Sequence, residues 1–251
     1  MKKLSDLSGL LYPAPGAELE WLMQDSEKAA VLQVLRASRP AAALEIGTCG
    51  GGCLRHIREF ARKTYSIDID PTVRGKLAAG MPDVTFLTGD SARLIPDVLA
   101  ECRRASTPLN FALVDGDHRY EGVKADLNAI LAYEPKEPLW ILMHDSGNPG
   151  CRRGIADADW AANRHVHVVE LDFIPGTLSA QEEFLDQMWG GLALALLLPE
   201  ARDHNLEIGA SLARHFDTIY RGSIHYPSMA NAVKRWTRIK WKGLKRRLGH
   251  A

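Results

Sequence analysis

Ala43-Leu44-Glu45-Ile46-Gly47-Thr48-Cys49-Gly50-Gly51-Gly52 decides how the chain folds. An apolar run, Ala42–Ile46, leads straight into a glycine loop. Glycines permit a tight turn after a strand and let the backbone approach a ligand closely. Downstream stands Tyr65-Ser66-Ile67-Asp68-Ile69-Asp70, which reads as a second strand. Asp68 comes 21 residues after Gly47, at that strand's end. There a carboxylate can accept both ribose hydroxyl hydrogens of an adenosine cofactor. Either piece alone reads as a turn or a helix cap. Together, in a strand–loop–helix–strand context, they point to a cofactor site.

The pattern continues outward from this unit. Ser26 is placed to cap a helix running to about Ala37, which Pro40 ends. Cys53–Lys63 reads as a helix, and Pro71 opens a short one. Val84–Leu87 reads as the third strand and Ala92–Cys102 as a helix. Phe111–Val114 is the fourth strand, and Tyr120–Tyr133 a helix with Val123, Leu127 and Ile130 on one face. Leu139–Met143 is the fifth strand. Further on, Ile155–Asn163 and Gln181–Met188 read as helices, Val166–Leu171 and Gly191–Leu198 as strands. Strands alternating with helices predict an α/β fold, a Rossmann-like, doubly wound, mostly parallel sheet of about seven strands with helices on both faces. The expected organisation is an N-terminal arm over 1–25, a cofactor-binding domain over 26–198 and an extension over 199–251.

Composition sets the outer limits. The chain has 251 residues, with 31 basic and 31 acidic side chains. Eight of the basic ones lie between Lys234 and Arg247, where no acid stands, so the rest carries a net charge of −8. An acidic body with a basic tail gives no clear case for nucleic acid. Interleaved with Trp241, Leu244 and Leu248, the tail suits an anionic membrane surface or the body of a second subunit in a homo-oligomer. The four cysteines are too dispersed for a disulfide scaffold, and no apolar segment follows the basic Met1-Lys2-Lys3, so a cytoplasmic protein is expected. Cys49, Cys53 and His56 offer too few ligands at standard spacing for zinc.

The glycine loop lacks the G-x-G-x-x-G spacing of dinucleotide binders, since Cys49 replaces the second glycine. Glu45 before it would repel a pyrophosphate and suits a cationic cofactor. With Gly89-Asp90-Ser91 after the third strand, these motifs resemble class I methyltransferases dependent on S-adenosylmethionine (SAM). The run Val114-Asp115-Gly116-Asp117-His118-Arg119-Tyr120-Glu121-Gly122-Val123, followed by Met143-His144-Asp145, is similar to the family of macrocin-type sugar O-methyltransferases and cephalosporin hydroxylase-like proteins.

The resemblance implies roles. Glu45 and Gly47 would lie at the methionine end of the cofactor, Asp68 would hold the ribose, and Asp90 and Ser91 would border the adenine. Thr48, Gly51, Ile69 and Asp115 would also belong to the cofactor site. Asp115 and Asp145 match acids that bind a divalent metal, and Asp117 matches a general base. His144 stands where some members have a third acid. The residues themselves support a site there: Asp115 and Asp145 end consecutive strands, which as neighbours would lie about 4.8 Å apart. Imidazole from His144 shifts the preference from magnesium toward manganese or another first-row ion. Asp117 or His118 would take the proton of a small-molecule methyl acceptor, most naturally a hydroxyl. Three alternatives stay open: a metal-independent methyltransferase, an NAD-linked dehydrogenase, and a non-catalytic SAM-binding or membrane-associated protein. Arg152 and Arg153 are candidates to meet an anionic acceptor, and Trp160 to line its pocket.

Overall fold

Ala42–Ile46 (β1) is buried at all five positions, as a central strand covered on both faces must be. In the computed structural model, which describes residues 19–233, it lies between β2 (Lys63–Asp68) and β4 (Leu109–Val114), parallel to both. β3 (Val84–Thr88) extends the sheet on one side. On the other follow β5 (Leu139–His144), then β9 (Leu192–Leu197) antiparallel to it, then β6 (Val166–Ile174). The full order is β10-β6-β9-β5-β4-β1-β2-β3, where β10 is Ile208–Gly209.

The side-chain period of two sorts each strand between two cores. Ala42, Leu44 and Ile46 face α4 (Ser91–Arg104), α5 (Tyr120–Ile130) and α6 (Pro149–Ala156) through Ile95, Leu99, Leu127 and Ile155. Ala43 faces the other way, with Phe111 and Leu142, toward α1 (Asp25–Ser38) and α2 (Gly52–Phe60). The short α3 (Pro71–Leu77) closes a small cluster around Leu54 and Val84. A last helix, α7 (Ala213–Gly222), buries none of its residues.

The sheet has eight strands rather than about seven. The extra strand, β10, is two residues long and too short to show a period. It carries the sheet past the boundary expected at residue 198, and buried Arg202 ties the same segment down by donating to the carbonyls of Ala161, Asn163 and Val166. Three other expectations change. The helix expected from Ile155 starts at Pro149, because the Asn148 side chain accepts from the backbone N–H of Gly150 and Cys151, and proline suits the first helical position. A 3-10 turn, Trp160–Ala162, follows it. The helix expected over Gln181–Met188 is a two-stranded ribbon instead, β7 (Thr177–Leu178) with β8 (Met188–Trp189), joined through a single 3-10 turn at Glu182–Phe184. Finally, α1 is capped by Gln24 in a reciprocal box with Glu27, not by Ser26.

Among the described residues no helix is long and apolar enough to cross a membrane. The basic run 234–247, and residues 1–18 of the arm, lie outside the described residues.

Candidate active site

A parallel sheet opens at the carboxyl ends of its strands, where the chain order reverses. Here that point lies between β1 and β4, and a cleft of about 1430 Å³ opens there. Ligand pockets commonly run to roughly 1,000 Å³, so the cleft has room for a cofactor and an acceptor together.

The turn after β1 forms one wall. Gly47 sits at φ 82°, and a Cβ on it would stand 2.1 Å from the Asp115 carbonyl oxygen. Only glycine lets β1 and β4 run so close at their ends. Asp68 holds the same turn from β2: its Oδ2 accepts from the backbone N–H of Thr48 at 2.9 Å and of Cys49 at 3.0 Å. Its other oxygen accepts from Asp70 N–H at 2.9 Å. Ile69, 78% exposed, projects beside it into the cleft. Asp90 caps α4 by accepting from Ala92 N–H, and Ser91 donates its hydroxyl to Asp126 at 2.5 Å.

Glu45, Thr48 and Gly51 are buried behind the turn. The Thr48 hydroxyl donates to Glu45 at 2.8 Å and lies 2.7 Å from Ser66 Oγ. Burial pushes the Glu45 carboxyl up to about 8. The sign of its pH effect follows. The unfolded group titrates near 4.5 and the folded one near 8, so the folded chain binds more protons between those values. Stability therefore declines through that window as pH rises, and levels off above it. In Glu45→Gln that decline is absent. Urea midpoints across the window check this, and parallel curves for the two proteins would exclude it.

The opposite wall is built from β4 and β5. Asp115 follows β4; His144 ends β5; Asp145 follows it at φ 57°, a backbone conformation aspartate tolerates better than most residues. One ligand atom from each of the three lies within 4.8 Å of the others. Among the described residues this is the one such cluster, and Cys49, Cys53 and His56 form none. His144 Nδ1 is 2.9 Å from Asp115 Oδ1 and 3.8 Å from Asp145 Oδ2. Its Nε2 is 3.3 Å from Glu27 Oε2. Burial opposes the charged imidazole, but the carboxylates of Asp115, Glu27 and Asp145 outweigh it and raise His144 well above its usual value. His118 Nδ1 lies 2.8 Å from Asp145 Oδ2, and that bond raises His118 as well. Asp117 faces the cleft, yet Arg119 grips both its oxygens at 2.6–3.0 Å and holds its carboxyl below the usual range.

Glu27 escaped the sequence reading. It is 1% exposed, accepts from the backbone N–H of Gln24 and Gly191, and comes to the site from 117 residues before His144. Its capping-box spacing from Gln24 is legible, but only tertiary packing brings that helix end against β5. Trp189 was missed too. It stands edge-on to His118 at 5.7 Å, with Phe184 5.8 Å beyond. Other candidates lie elsewhere. Arg152 is paired with Asp172 at 2.6 Å and stacked on Phe216. Arg153 lies over Tyr120, and Trp160 is core, donating to the Ile155 carbonyl.

Comparison with known proteins agrees with this architecture. Residues 44–146 match the family model of a methyltransferase domain. No curated protein matches the chain. Among solved structures, an O-methyltransferase from Bacillus cereus in complex with SAH has a TM-score of 0.54 at 13% identity, covering 77% of this chain and 96% of that one. A cofactor-bound protein from MTB has a TM-score of 0.51 at 17% identity, covering 78% and 95%. At such identities the likeness speaks for the fold. The matched segment, residues 44–146, is similar to a methyltransferase domain and holds the glycine turn, Asp68 and the acids after β4 and β5.

Proposed function

We propose that the protein transfers the methyl group of SAM to a hydroxyl of a small molecule, with His118 taking the proton. The observation that carries this reading is the histidine–carboxylate pair His118–Asp145 at the mouth of a cleft whose other wall is the glycine turn. The cofactor supplies the electrophilic methyl; the protein supplies alignment and a proton acceptor. Asp68 and Ile69 hold the ribose side, Asp90 and Ser91 the adenine, and the Gly47 turn with Asp115 the methionine end. Glu45 and Thr48 support that turn from behind, where Gly51 closes it by donating to the Thr48 carbonyl.

Asp145 fixes His118 through Nδ1, which leaves Nε2 for the acceptor's proton. Asp117, engaged by Arg119, is the poorer base. The set Asp115, His144 and Asp145 fits a divalent ion by its convergence and its mix of oxygen and imidazole donors. When bound there, such an ion stabilises negative charge developing on the acceptor oxygen. A metal-independent reading has its own support, because His144 already lies between Asp115 and Glu27 and favours the charged form.

The described residues of the cleft do not favour a strongly anionic acceptor. Among the described residues that line the cleft, Arg119 is the one lysine or arginine, and it is paired with Asp117. Among the described residues of the cleft, a phosphorylated molecule or a nucleic acid finds no cationic cradle. The test is transfer of labelled methyl from SAM to panels of phenols, sugars and amines, with products identified by mass. Methyl ethers are expected. Transfer confined to amines, or none to any acceptor, would overturn the reading.

A further inference from the structure

Asp126 has no part in the chemistry above, yet its position is costly. It stands on α5, is 2% exposed, and lines the cleft beside Ser91 and Gly116. Its Oδ1 accepts the Ser91 hydroxyl at 2.5 Å. Its Oδ2 is buried and has no hydrogen-bond partner. Burial and the neighbouring Asp90 and Asp117 raise this carboxyl to about 6, so it is an acceptor without a proton at neutral pH. A buried carboxylate oxygen left unpaired is expensive, and such groups commonly await a ligand or ion.

The donors that SAM offers are few: the ribose hydroxyls, the methionine ammonium and the exocyclic amine of adenine. Asp68, at the end of β2, faces the ribose hydroxyls. The ammonium belongs at the glycine turn, beside Asp115. Asp126 lies at neither place. It is bonded to Ser91, the first residue of α4, where the adenine end of the cleft is expected.

We propose that Asp126 reads the adenine of the cofactor: its Oδ2 accepts a hydrogen bond from the exocyclic amine, while Ser91 holds the carboxyl through Oδ1. The inference rests on the SAM site described above and names the group that distinguishes adenine from other purines there. A 6-oxo purine presents an acceptor at the same position, against which the carboxylate is repelled.

The test compares S-adenosylhomocysteine with S-inosylhomocysteine by calorimetry. The wild-type protein should prefer the adenosyl compound by at least about 100-fold, as a site built to bond one polar group rejects its mismatch. In Asp126→Asn the new amide can donate to the 6-oxo group, and the preference should shrink by about tenfold or more, or reverse. Asp126→Ser, which removes the buried carboxyl, should bind both weakly and almost equally, and serves where the asparagine variant does not fold. A merely structural role would weaken both compounds alike and leave their ratio at the wild-type value, and that result overturns the proposal. If wild-type protein binds neither compound, the SAM site falls, and this inference with it. If it binds the adenosyl compound and the variants keep the ratio, only the role of Asp126 falls.

Discussion

Asp68→Ala lowers the affinity for SAM by about 100-fold or more, while the thermal unfolding midpoint moves little. Two effects add. The first is direct: two hydroxyl donors lose a charged acceptor, at about 1.5–3 kcal/mol each. The second works through the apo protein. Asp68 Oδ2 already accepts the backbone N–H groups of Thr48 and Cys49, so the carboxylate sets the shape of the turn before any cofactor arrives. Removing it makes binding reorder that turn, a cost the wild type does not meet. Asp68 is only half-buried, so the fold keeps its core and water replaces the lost bonds. Calorimetric titration with SAM, beside circular dichroism, separates these outcomes. An unchanged affinity would remove Asp68 from the cofactor site. Asp68→Asn separates the two effects: its amide oxygen can still hold the turn but carries no charge. It should fall between wild type and alanine.

What was legible in the sequence and what was not divides along physical lines. β1, β4 and β5 were legible as mostly apolar runs, and β2 and β3 as short β-prone stretches bounded by polar turns. The glycine turn held by Asp68 was legible because it is local: both lie within one strand–helix–strand unit. Asp115, His144 and Asp145 were legible because they end neighbouring strands. Glu27 was not, since nothing in a helix N-terminus says which strand end it will meet. The ribbon of β7 and β8 was mistaken for a helix because Gln181–Met188 alternates too briefly to set a period. Its base is fixed instead by non-local backbone contacts, in which Gly147 N–H donates to the Gly190 carbonyl and Gly190 N–H to Asp145 Oδ1. The start of α6 was legible and was passed over: Asn148-Pro149 is a cap followed by a first-turn proline. The engagement of Asp117 by Arg119 was within reach of sequence as well, two residues apart at a helix start, but its consequence for the proton acceptor needed geometry.

Exhaustive chelation lowers kcat by about 100-fold or more, and manganese or another first-row ion restores it better than magnesium. The argument begins with charge. Asp115, Asp145 and Glu27 bring three carboxyl groups around His144, with the imidazole of His118 next to Asp145. Such a set needs positive charge among it. Two solutions exist. Either the imidazole of His144 stays protonated and bonded to Asp115 and Glu27, or it gives up its proton and shares a cation with Asp115 and Asp145. In the second case His144 Nδ1 must turn from donor to ligand, so ion binding releases a proton. In the first, no ion is needed and chelation changes nothing. Variants divide the two further. Glu27→Gln weakens the partner that favours the protonated imidazole, so it should tighten manganese binding and reduce activity only modestly if an ion is used. If His144 works as a fixed cation, the same change should lower activity strongly, and added metal should not rescue it. Asp145→Ala is severe on either account, because it removes both a candidate ligand and the partner that orients His118. Full turnover after chelation, together with a large loss in Glu27→Gln, would take the metal out of the reaction and give its electrostatic work to His144.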